Sequence, residues 1–458
     1  MSNIIRKKLK VFSPVQIIVY SFVLIIAFGT FLLLLPISSR SGVPDFLTAF
    51  FTAVSCTCVT GLSLHDTWSY FSPFGQVVML MLIQIGGLGL VSFTTGFTLA
   101  MHKKLDLREM KIIQEGTQGN LVDIPRIIRT IFISTFGFEI LGALVLCSRF
   151  VPIYGAKGAW LAFFLAVSSY CNAGFDVTGF ISPDSSVVMF NNDPLVMVVI
   201  SFLIIIGGLG FLVLADIYRH FAERFNPKVI RHSFVLHSKV VIRSTVCLLL
   251  IGTLLFFSFE YEHALKGLSF GNKLAACFLQ SASSRTAGLF AFDLSKQYSI
   301  TKLITVILMF IGASPASTGG GVKTVPFVVV MSTMWSTFFG KDDTIIYRRR
   351  VGKSVVYKSV AICAAFVLFA ALGTLMICIL EASKPISSID ILYEVVSALS
   401  TTGVSAGITR SLTVFSQYIL ILFMFVGRVG LISLILALTA KKENNKYKML
   451  PEGKLIIG

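Results

Sequence analysis

The chain has 458 residues, of which 55% are hydrophobic and 13% charged, with a mean hydropathy of +0.85. A water-soluble fold of this length would need far more charge to cover its surface, so a membrane-embedded chain is expected. The formal net charge of +17 is spread over short segments with no recognition motif, which argues against nucleic acid as a partner.

In chain order, a basic start (Arg6, Lys7, Lys8, Lys10) leads into an uncharged stretch at 15–36. That stretch exceeds a signal-peptide core and lacks a convincing small-residue cleavage site, so it is read as a retained helix. Uncharged stretches at 74–101, 194–215, 303–322 and 359–380 also reach the roughly 20 residues that cross a bilayer core. Three weaker spans, 130–148, 240–259 and 411–440, are interrupted by Glu139, Arg243 and Arg428 respectively. The expected fold is an all-α integral membrane protein with eight transmembrane helices.

With both termini on one side, 27 of the 39 Lys and Arg fall in the N-terminus, the loops 102–129, 219–243 and 341–358, and the C-terminal tail, against 10 on the other. The remaining two, Lys323 and Arg428, lie inside apolar spans. Positive charge gathers on the cytoplasmic side, so both termini are placed there, in a cell membrane. The eight cysteines form no CxxC pair and read as small buried hydrophobes.

Between successive long helices lie short apolar stretches near 46–57, 158–171, 274–284 and 391–400, each too short to span. Each ends in a polar and glycine cluster: Val59-Thr60-Gly61, Asn172-Ala173-Gly174, Thr286-Ala287-Gly288 and Thr401-Thr402-Gly403. The four glycines are separated by 113, 114 and 115 residues, the signature of a fourfold internal repeat. The units are set at 1–101, 102–218, 219–340 and 341–440, followed by a tail at 441–458. Their filter segments lie near 57–62, 171–175, 285–289 and 400–404.

Each unit reads as a helix in, a half-helix re-entering from outside, an irregular turn and a helix back. Irregular backbone at that depth must be covered by protein or line a water-filled cavity, so the four turns are expected to meet around one central pore. Glycine lets carbonyl oxygens turn inward, and each half-helix directs its partly negative C-terminus at the axis. A carbonyl ring replaces the hydration shell of a monovalent cation, whose transfer into an apolar medium would otherwise cost about 20 kcal/mol.

Just outside the glycines stand Asp66, Asp176 and Asp293, with Thr409 in the fourth unit. They concentrate cations in an outer vestibule or, alternatively, only cap loops. The outgoing helix of the third unit is broken by Gly312, Ser314, Ser317, Thr318, Gly319, Gly320 and Gly321, a run that must line a cavity. No strand precedes the glycine triplet, which excludes a phosphate-binding loop. Corresponding glycines at 86–89, 207–210 and 427–430 are expected inside ordinary, closely packed helices. Arg428 at mid-membrane needs a partner or a water cavity, with Glu139 and the carbonyls of the broken loop as candidates. It acts as a cation-repelling gate element, as a structural pair with Glu139, or both, and Lys323 adds positive charge nearby.

These glycine segments, with Ser-Arg-Thr-Ala-Gly at 284–288, Ala-Ser-Thr-Gly-Gly-Gly-Val-Lys at 316–323 and Gly-Arg-Val-Gly at 427–430, resemble the Trk/Ktr/HKT potassium transporters over nearly the whole length. The short basic segment before the first helix and the Pro-Glu-Gly tail are most similar to the Ktr-type membrane subunit. The resemblance implies potassium uptake through a selectivity filter at Gly61, Gly174, Gly288, Gly403 and the residues just before them. Ala173 and Ala287 depart from the family's hydroxyl-bearing residues, a change that backbone carbonyls tolerate. The resemblance further implies an intramembrane gating loop at 312–321 and a homodimer with one pore per protomer. It also implies a cytoplasmic ring of regulatory subunits, which alone would carry nucleotide; transported K+ is the only ion expected on this chain. Arg348, Arg349 and Arg350 face that ring or anionic lipid. A sodium- or proton-coupled symporter of the same fold is the alternative function; a membrane enzyme is disfavoured because no catalytic constellation recurs at the midplane.

Overall fold

The structure, a computed structural model, describes residues 14–89, 124–225 and 233–430. The basic start, most of the 102–129 loop and the 441–458 tail lie outside the described residues.

In the first unit, α1 (Pro14–Leu33) leads to the half-helix α2 (Phe46–Cys58) and out through α3 (Pro73–Leu88). The second unit comprises α4 (Ile124–Tyr154), half-helix α5 (Ala156–Tyr170), α6 (Pro194–Leu209) and α7 (Phe211–Phe225). The third has α8 (Leu236–Glu260), half-helix α9 (Phe270–Ser283), α10 (Ser299–Ile311) and α11 (Thr324–Phe338). A two-stranded hairpin, β1 (Ile345–Ile346) with β2 (Arg349–Arg350), precedes the fourth unit of α12 (Lys353–Leu380), half-helix α13 (Ser388–Leu399) and α14 (Val414–Val429).

The element starts follow local chemistry. Proline stands in the first turn of α3 and α6, where its missing N–H costs nothing. Asp45, Ser72, Asp193, Ser269, Ser387 and Thr413 each accept an N-terminal amide as a helix cap. The caps at Ser269 and Ser387 start α9 and α13 a few residues earlier than their apolar content alone indicates.

Among the described residues four helices, within α1, α4, α8 and α12, are long and apolar enough to cross a membrane unaided. On them, side chains such as Leu24, Leu144, Leu254 and Ile379 are well exposed, as lipid-facing residues must be. The half-helices are instead buried over most of their length. The outgoing members are interrupted. The 194–215 stretch, expected as one helix, bends by 100° at Gly210 between α6 and α7, and α10 stops at Ile311 before an irregular segment.

Each unit is tied at its outer end, where the incoming helix meets the start of the outgoing one. Ser72 N–H donates to Ser38 O (2.9 Å) in the first unit, and Arg149 pairs with Asp193 (3.5 Å) in the second. In the third, Tyr298 N–H donates to Glu260 Oε1 (3.2 Å); in the fourth, Thr413 N–H donates to Glu381 Oε1 (2.7 Å). The polar ends thus satisfy one another where an unpaired backbone group would be costly.

The cysteines depart from expectation. Cys56, Cys58, Cys171 and Cys277 are buried, but Cys147, Cys363 and Cys378 are only half-buried and Cys247 is exposed. An apolar lipid solvent leaves a thiol little reason to be inside.

Candidate functional site

The four half-helices end in one and the same backbone turn. Val59, Asn172, Thr286 and Thr401, two residues before each glycine, have φ of +57°, +58°, +84° and +50°. The glycines follow with φ of +99° (Gly61), +74° (Gly174), +80° (Gly288) and +88° (Gly403). A side chain is strained in that region and glycine is not.

The glycines close a ring. A β-carbon on Gly61 would stand 2.6 Å from Ala173 O, one on Gly174 would stand 2.9 Å from Ala287 O, and one on Gly288 would stand 2.8 Å from Thr402 O. On Gly403 it would collide with Thr60 O. Each unit's glycine therefore packs on the carbonyl of the next, in the cyclic order first, second, third, fourth, first. The carbonyls of Thr60, Ala173, Ala287 and Thr402 are brought together at the ring.

The N–H groups of these four residues are committed backwards, to the carbonyls of Ser55 (2.8 Å), Ser168 (2.7 Å), Ser283 (2.8 Å) and Ser397 (2.8 Å). Ser55 and Ser397 also accept the N–H of Gly61 and Gly403 at 3.1 Å through their hydroxyls. With these six N–H groups held on the outside of the turns, the carbonyls of Thr60, Ala173, Ala287 and Thr402 are left to face the ring. The hydroxyls of Thr57, Thr60, Thr286 and Thr401 are buried without a hydrogen-bond partner. Buried hydroxyls are normally paired, so these four are polar groups left open on or beside the turns.

All four glycines open on one cavity of about 490 Å³, which Asp66, Asp176, Asp293 and Thr409 also line. Asp66 caps a one-turn helix through Ser69 N–H (2.8 Å), and Thr409 donates to Glu394 Oε2 (3.0 Å). Burial pushes the Asp176 carboxyl up to about 6, against the Thr178 hydroxyl and amide that favour its charged form. Burial would also raise Asp293, but Ser295 and Lys296 outweigh it and hold that carboxyl below its ordinary value.

On the other side of the ring lies the broken segment between α10 and α11. A β-carbon on Gly319 would strike Thr286 Oγ1 and one on Gly320 would strike Thr401 Oγ1 and lie 2.5 Å from Ser400 O. Thr318 Oγ1 donates to Tyr170 O (3.4 Å) at the end of α5, and Ser317 donates to Ser314 O (2.6 Å). Gly312 and Gly321, with φ of +68° and +75°, lie against each other at the neck of the loop. Lys323 has φ of +81° and turns its ammonium back onto Gly319 O.

Arg428 donates to Thr318 O in this loop and to Gly86 O at the end of α3. It does not pair with Glu139, contrary to one of the two readings above. Glu139 accepts instead from Gln84 Nε2 (3.1 Å) and from the Cys171 thiol (3.7 Å). The physical reason is local: Thr318 O in the broken loop and Gly86 O near the end of α3 both lie within reach of one guanidinium, which donates to two carbonyls at once.

The glycines at 86–89, 207–210 and 427–430 also depart from expectation. Gly86, Gly207 and Gly427 do provide close packing, abutting the carbonyls of Thr57, Tyr170 and Leu399 on the half-helices. Gly89, Gly210 and Gly430, however, have φ of +76°, +91° and +89° and end their helices. Sequence reasoning also missed Arg285, a buried guanidinium beside the ring whose Nε donates to Gly312 O (3.3 Å). Glu394, fully buried, was missed as well; it braces the fourth loop through Ser405 (2.5 Å), Ala406 N–H (3.1 Å) and Thr409. A lone charge in an apolar run was the only available signal for either.

The cation transport protein family TrkH matches residues 5–449. The chain is 34% identical over 452 residues to the Ktr system potassium uptake protein B of Bacillus subtilis, covering 98% of this chain and 97% of that protein. It is likewise 34% identical over 470 residues to the potassium/sodium uptake protein NtpJ of Enterococcus hirae, covering 100% and 99%. Among solved structures, the potassium transporter TrkH from Vibrio parahaemolyticus superposes with a TM-score of 0.71 at 15% identity, over 93% of this chain and 84% of that one.

Proposed function

The chain belongs to the TrkH family of cation transport proteins, and on that premise we propose that it is the potassium-translocating subunit of a Ktr-type uptake system. The observation that carries this reading is the closed ring in which each filter glycine abuts the next unit's carbonyl. Such a ring supplies oxygen ligands to a dehydrated cation and leaves no room for a side chain. Potassium crosses from the acid-lined cavity through the carbonyls of Thr60, Ala173, Ala287 and Thr402, and meets the 312–321 loop beyond them. The loop with Arg428 obstructs the path in the resting state and moves aside for conduction.

In the same reading both termini are cytoplasmic and the protein works as a homodimer, one pore per protomer, on a nucleotide-binding regulatory ring. The β1–β2 hairpin presents Arg348 and Arg349 to that ring, while Arg350 is engaged by Asp343 (2.9 Å). Pull-down with the purified ring, comparing wild type with an Arg348→Ala, Arg349→Ala, Arg350→Ala variant, tests the contact, and equal binding excludes it.

A sodium-linked mode is the second reading, favoured by the potassium/sodium uptake named for one relative. Ion flux in reconstituted vesicles decides both: potassium uptake that exceeds sodium uptake and persists without sodium supports the channel-like reading. Strict sodium dependence supports coupling, and the absence of potassium flux overturns the proposal.

A further inference from the structure

The four connections from filter glycine to outgoing helix are unequal. Gly61 to Pro73, Gly288 to Ser299 and Gly403 to Val414 are of similar length, whereas Gly174 to Pro194 is eight or nine residues longer. The extra residues do not trail into solvent. They form a strap held by all three other units.

Asp184 N–H donates to Asp66 Oδ1 (3.3 Å) of the first unit, and Ser186 Oγ accepts Phe290 N–H (3.2 Å) of the third. Arg410 of the fourth donates to Asp184 Oδ2 (2.6 Å) and, with its second terminal nitrogen, to Oδ1. Asp184 and Ser186 have φ of +59° and +48°, a left-handed conformation uncommon for residues with side chains, though less so for aspartate. Asp184, Ser186 and Arg410 all line the cavity above the four glycines. In the ring order above, the second and fourth units are diagonal to one another, so the Asp184–Arg410 pair links opposite sides of the mouth.

We propose that Arg410, held by Asp184 across the mouth, is a positioning residue that sets how readily cations enter the cavity. The proposal rests on the reading of that cavity as the cation entrance. Asp293 is balanced by Lys296 of its own loop (3.3 Å), whereas Asp184 is balanced by a cation from the opposite unit. An exposed ion pair stabilises little and opens readily. Closed, the pair engages the Asp184 carboxylate and lays the strap over the mouth; open, it leaves that carboxylate available to entering cations.

The test is initial-rate potassium uptake by full-length protein in vesicles, normalised to folded protein, over a range of external potassium at low and raised ionic strength. Arg410→Gln frees Asp184 and is expected to lower the apparent KM about two- to threefold at low salt, the effect of one nearby charge in water. Asp184→Asn leaves Arg410 unpaired and is expected to raise KM by about as much. The exchange of Asp184→Arg with Arg410→Asp restores the wild-type value, and raised salt shrinks every difference. A merely structural clasp moves both single variants the same way, and that result, or no change in either, overturns the proposal; if Arg410→Gln does not fold, the salt dependence of the Asp184→Asn effect decides, because a raised KM that persists at raised salt is not electrostatic and overturns the proposal. Gly288→Ser is run beside them. If it loses potassium preference while the mouth variants leave KM unmoved, this inference fails alone; if it keeps that preference, the filter reading fails.

Discussion

Arg428 reaches back 110 residues to donate to the carbonyl of Thr318. The same guanidinium holds Gly86 O at the end of α3, so one side chain of the fourth unit pins the loop of the third against the first. A charge-assisted hydrogen bond of this kind contributes about 1.5–3 kcal/mol, enough to bias a loop between two positions.

Replacing Arg428 by Gln should therefore shift the loop toward its open position, by roughly tenfold in the open-to-closed ratio. Vesicle uptake normalised to folded protein reads this directly. A well-folded variant no faster than wild type would count against the loop as a gate. Because Glu139 is satisfied by Gln84, no stranded carboxylate is expected to lower the yield.

Shortening the loop by removing 316–320 should raise flux further while leaving potassium preference in place. The segment lies against Thr286 and Thr401 from below the ring, so its loss removes an obstruction without touching the four turns. Loss of preference together with the rise would show that the loop shapes the filter itself.

Gly288→Ser forces a β-carbon to within 2.7 Å of Gly174 Cα and 2.8 Å of Thr402 O, at a φ of +80°. The strain is on the order of 1–3 kcal/mol, and it falls on the ring. Permeability for potassium relative to sodium should drop while the protein still folds; an unchanged ratio in folded protein would remove Gly288 from the filter.

Ser55→Ala and Ser397→Ala test the supports behind the ring. Each removes the acceptor of a filter glycine N–H at about 1 kcal/mol. A partial loss of potassium preference with near-normal yield is expected, greater in the double variant.

Glu381 supplies a pH-dependent prediction at the outer end of the fourth unit. Burial alone would raise its carboxyl, but Lys384, Ser416 and Thr413 outweigh that and hold it at about 2. A carboxylate depressed by folding contributes stability that is complete above its unfolded value near 4.3 and is lost as pH falls toward 2. The thermal midpoint of detergent-solubilised protein should fall through that window. Glu381→Gln should start lower at neutral pH and show a flatter profile.

The sequence by itself determined the incoming spans within α1, α4, α8 and α12, the near-constant spacing of Gly61, Gly174, Gly288 and Gly403, and the break at 312–321. These are local or periodic signals: apolar length, the φ that only glycine takes easily, and the inability of lipid to satisfy irregular backbone. What only the tertiary structure decided lies between units. Spacing could not say that Gly403 would close on Thr60 O, that Arg428 would choose Thr318 and Gly86 over Glu139, or that Asp184 would meet Arg410 from the opposite side of the mouth. Partners for a buried guanidinium are set by which loop and helix-end carbonyls come within its reach, and that is fixed only once all four units pack around the axis.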